Sequence, residues 1–193
     1  MRVWGLTGGI GTGKSTVARL FSELGGVPTL DADQVARELR EPGQPAHQAI
    51  LKRFGTADRK ELRDLITRDP VAKGDLEALL HPLIRVASRE KLEALHRAHP
   101  EAPLLLYEAT LLIESGRAPD FESVIVVTAP LPDRLARISA RDGVTQAEAL
   151  ALIEAQSPDS YRLPHADHHI QNLGSLEDLK SQIRKILDQI KSP

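Results

Sequence analysis

Residues 8–15 read Gly-Gly-Ile-Gly-Thr-Gly-Lys-Ser and fit the pattern G-x-x-x-x-G-K-[ST] without a mismatch. No other stretch narrows the possible folds of this chain so far. The pattern has its chemical meaning only between a buried strand and a helix, and the flanking residues predict both. Val3, Trp4 and Leu6 make a short apolar run ahead of the glycines, and Val17, Ala18, Leu20, Phe21 and Leu24 follow at helical spacing. Glycines allow the backbone to wrap closely around an anion, so that successive N–H groups and the helix N-terminus face its oxygens. Lys14 then reaches β- and γ-phosphates, and the Ser15 hydroxyl is a ligand for Mg²⁺. The segment implies binding of a nucleoside triphosphate.

Beyond Gly25-Gly26, residues 27–30 predict a second short strand that ends at Asp31-Ala32-Asp33, with a helix through Leu39. From Ala46 to about Ala98 apolar residues occur only at helical spacing, as in Leu76, Leu79, Leu80, Leu83 and Ile84. This stretch predicts a helical insertion. Strands return at 103–108 and 123–128, both continuous apolar runs of the kind covered on two faces. A helix is predicted over 132–142, a capping box at Thr145 and Glu148, a last strand around His168-His169-Ile170 and a closing helix over 176–190. The alternation predicts an α/β fold with a doubly wound parallel five-stranded sheet in a single domain. Its core is expected at 1–45 and 101–193, a helical acceptor lobe at about 46–100 and a helical lid at about 131–145. The crevice at the carboxyl ends of the strands then collects the glycine loop, Asp31, Asp33 and Glu108.

Composition removes several classes. The formal net charge is −2, which supplies no broad basic field for nucleic acid or an anionic membrane. There is no cysteine for disulfides, thiolate metal sites or thiol catalysis. No apolar run is long enough to span a membrane, and with the first strand expected directly after Met1 no leader is expected. A cytoplasmic protein is expected, as a monomer or a small homo-oligomer. His165, His168 and His169 are read as ordinary surface and edge histidines, since His168 and His169, as neighbours in a strand, point to opposite faces and do not easily ligate one ion.

The glycine loop gives the ligand but not the reaction. A guanine-reading N-K-x-D is missing, since the one Asn, Asn172, precedes Leu173. Small-molecule kinases remain, in which a helical lobe holds the acceptor and a lid bearing arginines closes over the phosphates. Arg134, Arg137 and Arg141 fall on one helical face and supply such a lid. Fixed guanidiniums stabilise charge that develops on a transferring phosphoryl group. Of Asp31 and Asp33, alternation turns one towards the phosphates while the other caps the helix that follows.

These residues resemble one family. Gly5 to Thr16, Asp31-Ala32-Asp33 and Leu79-Leu80-His81-Pro82-Leu83-Ile84 look like dephospho-CoA kinase. So do Arg137-x-x-x-Arg141-Asp142, Ala155-Gln156, Ala166-Asp167 and Ile170-Gln171-Asn172. The resemblance is collinear over essentially the whole chain. It implies transfer of the ATP γ-phosphate to the ribose 3′-hydroxyl of dephospho-CoA, with Mg²⁺; another small-molecule or nucleoside monophosphate kinase is the alternative. It assigns Gly11, Thr12, Gly13, Lys14, Ser15 and Thr16 to ATP, Asp33 to the acceptor hydroxyl, and Arg137 and Arg141 to the lid. Asn172 falls in the loop expected near adenine, and His81 either contacts substrate or shapes its helix turn. Departures are Thr12 where Ser is usual, Glu108-Ala109-Thr110 where Asp-Val-Pro is usual, and a Ser157–Pro164 stretch unlike the usual basic helix. Glu108 reaches one methylene further than Asp towards a metal-bound water or the acceptor.

Overall fold

A computed structural model describes residues 1–191. The chain divides into two compact units: residues 1–30 with those from Leu95 onward, and residues 31–94.

The first unit is built on a parallel sheet. Strands β1 (Val3–Thr7), β2 (Thr29–Asp31), β3 (Leu105–Glu108), β4 (Ser123–Thr128) and β5 (His168–Gln171) lie in the order β2-β3-β1-β4-β5. β1 pairs in parallel with β3, Trp4 opposite Leu106, and with β4, Leu6 opposite Ile125. β4 pairs in parallel with β5, Val127 opposite Ile170. Strand order changes direction about β1, which sets the ligand crevice outside its carboxyl end. That is where residues 8–15 begin.

Helices α1 (Lys14–Gly25) and α9 (Leu176–Lys191) cover the sheet. Val17, Leu20 and Phe21 of α1 and Leu179, Ile183 and Leu187 of α9 pack with Leu6, Leu106, Ile125 and Ile170 in one buried core. Helices α6 (Leu131–Asp142), α7 (Gln146–Glu154) and the short α8 (Asp159–Arg162) lie between β4 and β5 in sequence. The predicted capping box forms: Thr145 Oγ1 accepts from the Glu148 N–H at 3.3 Å, and the Glu148 carboxylate accepts from the Thr145 N–H at 2.8 Å.

The second unit is helical. It holds α2 (Ala32–Glu38), α3 (Pro45–Phe54), α4 (Arg59–Arg68) and most of α5 (Pro70–Ala98). Ile50, Leu62 and Ala72 are buried in it. Asp58 caps α4 by accepting from the N–H groups of Lys60 and Glu61, both at 2.9 Å. α5 runs unbroken through Pro82. The proline removes one donor from the helical ladder there.

Candidate active site

Residues 8–13 carry the chain from β1 into α1 under tight steric limits. Gly8 has φ 152°, and a Cβ on it would lie 2.3 Å from the Val127 carbonyl oxygen. Gly13 has φ 92°, and a Cβ there would lie 2.3 Å from Asn172 Nδ2. Only glycine satisfies both the left-handed geometry and the close approach. Thr12, fully buried, donates its hydroxyl to the Gly9 carbonyl at 2.9 Å and ties the loop across its own turn. Lys14 Nζ donates to the carbonyls of Gly8 at 2.9 Å and Gly9 at 3.4 Å, so its ammonium lies over the loop.

At the start of α1 the Ser15 hydroxyl donates to Glu108 Oε1 at 3.1 Å. Glu108 closes β3 and is buried, 8% exposed. A hydroxyl and a carboxylate are hard oxygen donors, the set a small divalent cation takes. The extra methylene of Glu therefore reaches the hydroxyl that the glycine-loop motif assigns to the metal.

The three arginines of α6 part company. Arg134 is buried and donates Nε to the Ile10 carbonyl at 2.9 Å. Arg137 donates Nη1 to the carbonyls of Gly11 at 3.1 Å and Thr12 at 3.4 Å, and Nη2 to Asn172 Oδ1 at 3.4 Å. Arg141 instead forms a two-pronged pair with its neighbour Asp142, both bonds 2.7 Å, with 62% of its side chain exposed. That pairing raises the Arg141 pKa and lowers that of Asp142.

A buried ionic cluster backs Arg134. Its guanidinium lies 3.7 Å from Asp159, which lies 3.5 Å from Arg162. Arg162 is fully buried and also pairs with Glu114 and donates to the Ser157 carbonyl. Two guanidiniums thus meet two carboxylates. Burial lowers the Arg134 pKa, with Asp159 opposing the fall and Arg162 adding to it. Beside the cluster, Gln156 Oε1 accepts from the Ile10 N–H at 2.8 Å. Ile10 is therefore held at both its N–H and its carbonyl. In the sequence Gln156 stands out only within the family resemblance, and Glu114, Asp159 and Arg162 carry no local signal of this role.

Asn172 is 5% exposed, and its amide Nδ2 donates to the Thr12 carbonyl at 2.8 Å. Its side chain links the glycine loop to Arg137. His168 stacks on Trp4 with ring centroids 4.9 Å apart, and His169 Nε2 lies 2.8 Å from the Thr128 hydroxyl.

In the helical unit, Asp31 takes the capping role: its carboxylate accepts from the Gln34 N–H at 3.0 Å and pairs with Arg37 at 3.5 Å. Asp33 is exposed in the first turn of α2 and lines a cavity of that unit. His81 is exposed on α5, one residue before Pro82, and does not line that cavity.

A glycine loop between β1 and α1, a lysine folded over it and a serine–carboxylate pair beside it define a P-loop phosphotransferase. The family model described as dephospho-CoA kinase matches residues 2–178, and the chain belongs to the dephospho-CoA kinase family. A dephospho-CoA kinase of Moorella thermoacetica is 41% identical over 192 residues, spanning 95% of this chain and 90% of the relative. That of Geobacter metallireducens is 40% identical over 191 residues, spanning 95% and 94%. A crystal structure from Thermus thermophilus agrees with TM-score 0.83 at 36% identity over 99% of this chain and 98% of that one. Dephospho-CoA kinase from Campylobacter jejuni agrees with TM-score 0.68 at 27% identity over 98% of each. A shikimate kinase from Acinetobacter baumannii, 20% identical with TM-score 0.55 over 98% of this chain and 93% of its own, shares the fold. The activity of the chain is ATP-dependent phosphorylation of dephospho-CoA in CoA synthesis.

Proposed function

We propose that the reaction uses Mg²⁺ and moves the γ-phosphoryl group of ATP to the ribose 3′-hydroxyl, with the following division of labour. The backbone of 11–16 and Lys14 hold the triphosphate. Ser15 and Glu108 would hold the cation, which would neutralise phosphate charge when bound. Asp33 accepts the proton of the 3′-hydroxyl as the new P–O bond forms and the bond to the β-bridging oxygen breaks, leaving ADP with that electron pair. Arg137 and Arg141 stabilise charge on the moving group, Arg141 exchanging Asp142 for phosphate oxygens. Asn172 contributes through its loop, and His81 belongs to the acceptor side. The supporting observation is the hydrogen bond from Ser15 to Glu108 at the start of α1, next to Lys14. The same proposal takes the cytoplasm as the site of reaction and a monomer or small homo-oligomer as the working form; no helix of the described residues is long and apolar enough to cross a membrane.

A panel measuring ADP release with dephospho-CoA, AMP, CMP, shikimate and gluconate tests the acceptor. Turnover is expected with dephospho-CoA, and turnover with another acceptor alone would overturn the reading. Asp33→Asn is expected to lower kcat by at least about 100-fold with the KM for ATP little changed. A normal kcat in that variant would remove Asp33 from the role of base.

A further inference from the structure

A glycine loop holds an anion only when its N–H groups, and not its carbonyls, face the ligand. In this loop side chains do the turning. The Ile10 carbonyl accepts from Arg134 Nε at 2.9 Å, and the Gly11 carbonyl from Arg137 Nη1 at 3.1 Å. That of Thr12 accepts from Arg137 Nη1 at 3.4 Å and Asn172 Nδ2 at 2.8 Å. Three consecutive carbonyls are thus drawn to donors, two of which sit one turn apart on α6. The described peptide bonds are trans, so each N–H points opposite to the carbonyl of its own peptide unit. The N–H groups of Gly11, Thr12 and Gly13 therefore point away from these donors, and that of Thr12 closes on the Gly9 carbonyl at 3.4 Å. The preceding peptide is set from the other end. Gln156 Oε1 accepts from the Ile10 N–H at 2.8 Å, which turns the Gly9 carbonyl to the opposite side, where Thr12 Oγ1 at 2.9 Å and Lys14 Nζ at 3.4 Å meet it.

Arg134 and Gln156 reach the loop only because Gly9 has no side chain. A Cβ on Gly9 would collide with Arg134 Nη2 and lie 3.3 Å from Gln156 Oε1. Arg134 is also unlike the other two arginines of its helix. It is 8% exposed and lies 3.7 Å from Asp159, which is itself tied to the fully buried Arg162. A guanidinium held that deep has no path to a phosphate oxygen without giving up both the carboxylate and the Ile10 carbonyl. We infer that Arg134 and Gln156 are positioning residues for ATP, acting through Ile10: they fix the peptide planes on either side of it, so that the Gly11 N–H is aimed before the triphosphate arrives. A donor aimed in advance costs no reorganisation when the anion binds. The inference rests on the assignment of residues 11–16 to the triphosphate in the function proposed above, and adds to it the side chains that shape that loop.

The test is steady-state kinetics of the full chain with ATP and dephospho-CoA, comparing the wild type with Arg134→Met and Gln156→Met. Both substitutions keep an unbranched side chain and remove its hydrogen bond to Ile10. Assays run well below the melting temperature of each variant, where a merely structural role leaves the kinetics unmoved. Each variant is expected to raise the KM for ATP at least about threefold, with the KM for dephospho-CoA within about twofold. The double variant is expected to show less than the product of the two single effects, because both act on one residue. Should Arg134→Met fail to fold, Gln156→Met, which breaks no ion pair, decides alone. A KM for ATP raised less than about threefold in either folded variant, or an equal rise for both substrates, would overturn the inference. Effects that multiply in full would overturn the shared route through Ile10. Lys14→Ala is measured alongside: normal turnover in it would overturn the placement of the triphosphate on this loop, and the inference with it. Lost turnover in Lys14→Ala beside unchanged KM values in the methionine variants would overturn the inference alone.

Discussion

Ser15 and Glu108 stand 93 positions apart in sequence and 3.1 Å apart in space. Glu108→Gln keeps shape and hydrogen bonding but removes the charge offered to a cation. The Mg²⁺ concentration for half-maximal ADP release should rise on the order of 10- to 100-fold. An unchanged metal requirement would move Glu108 to the acceptor side. A second residue-scale prediction concerns His168. Burial pulls its pKa below the ordinary value, with Asp167 opposing. The unfolded chain therefore takes up this proton first as pH falls. The stability that His168 contributes is complete above about pH 6.5 and drains away as pH drops from there towards the folded pKa. Trp4, the one tryptophan, stacks on this ring and reports its charge. A step in Trp4 emission is expected with a midpoint below about pH 6.5, absent in His168→Gln. A midpoint above that value would reverse the sign.

At the scale of elements, α6 and α8 act as a brace on the glycine loop. Arg134 holds the Ile10 carbonyl, Gln156 its N–H, and the Arg134–Asp159–Arg162–Glu114 cluster keeps Arg134 in place. Arg162→Met leaves two carboxylates in a buried site with one guanidinium. A loss of about 3–5 kcal/mol is expected by denaturant unfolding. A loss below about 1 kcal/mol would mean that water reaches the cluster. The loop motif, the strand and helix around it, the capping box and the helical character of 46–98 were all legible, because each is written in local spacing. The brace was not. Its members come from four separate segments, and an arginine destined for full burial looks in sequence like any solvated one. The even spacing of Arg134, Arg137 and Arg141 showed a common face but not that Asp142 would pair with the last of them. For the same reason Asp31 and Asp33 could not be told apart from sequence pattern alone; the Gln34 N–H separates them by choosing Asp31 as its cap.

At the scale of the whole molecule, the last helix secures the first. Gly25 ends α1, and a Cβ there would lie 2.4 Å from Leu187 Cδ2 of α9. Leu187→Ala is expected to cost about 2–5 kcal/mol through the cavity it leaves. Gly25→Ala is expected to cost about 1–3 kcal/mol through overpacking. Combined, they should cost less than their sum by at least about 0.5 kcal/mol, since one change makes room for the other. Strict additivity in a double-mutant cycle would contradict the contact. The sheet order has a consequence during synthesis. Among the described residues, β1 pairs with residues 105–108 and 123–126 and no others. A growing chain emerging from a ribosome must therefore carry the β1 segment unmated until its partner strands, roughly a hundred residues further on, have been made, on the order of ten seconds at ordinary rates of synthesis. During that interval a chaperone has its clearest target on this chain in the residues that will later form the middle of the sheet.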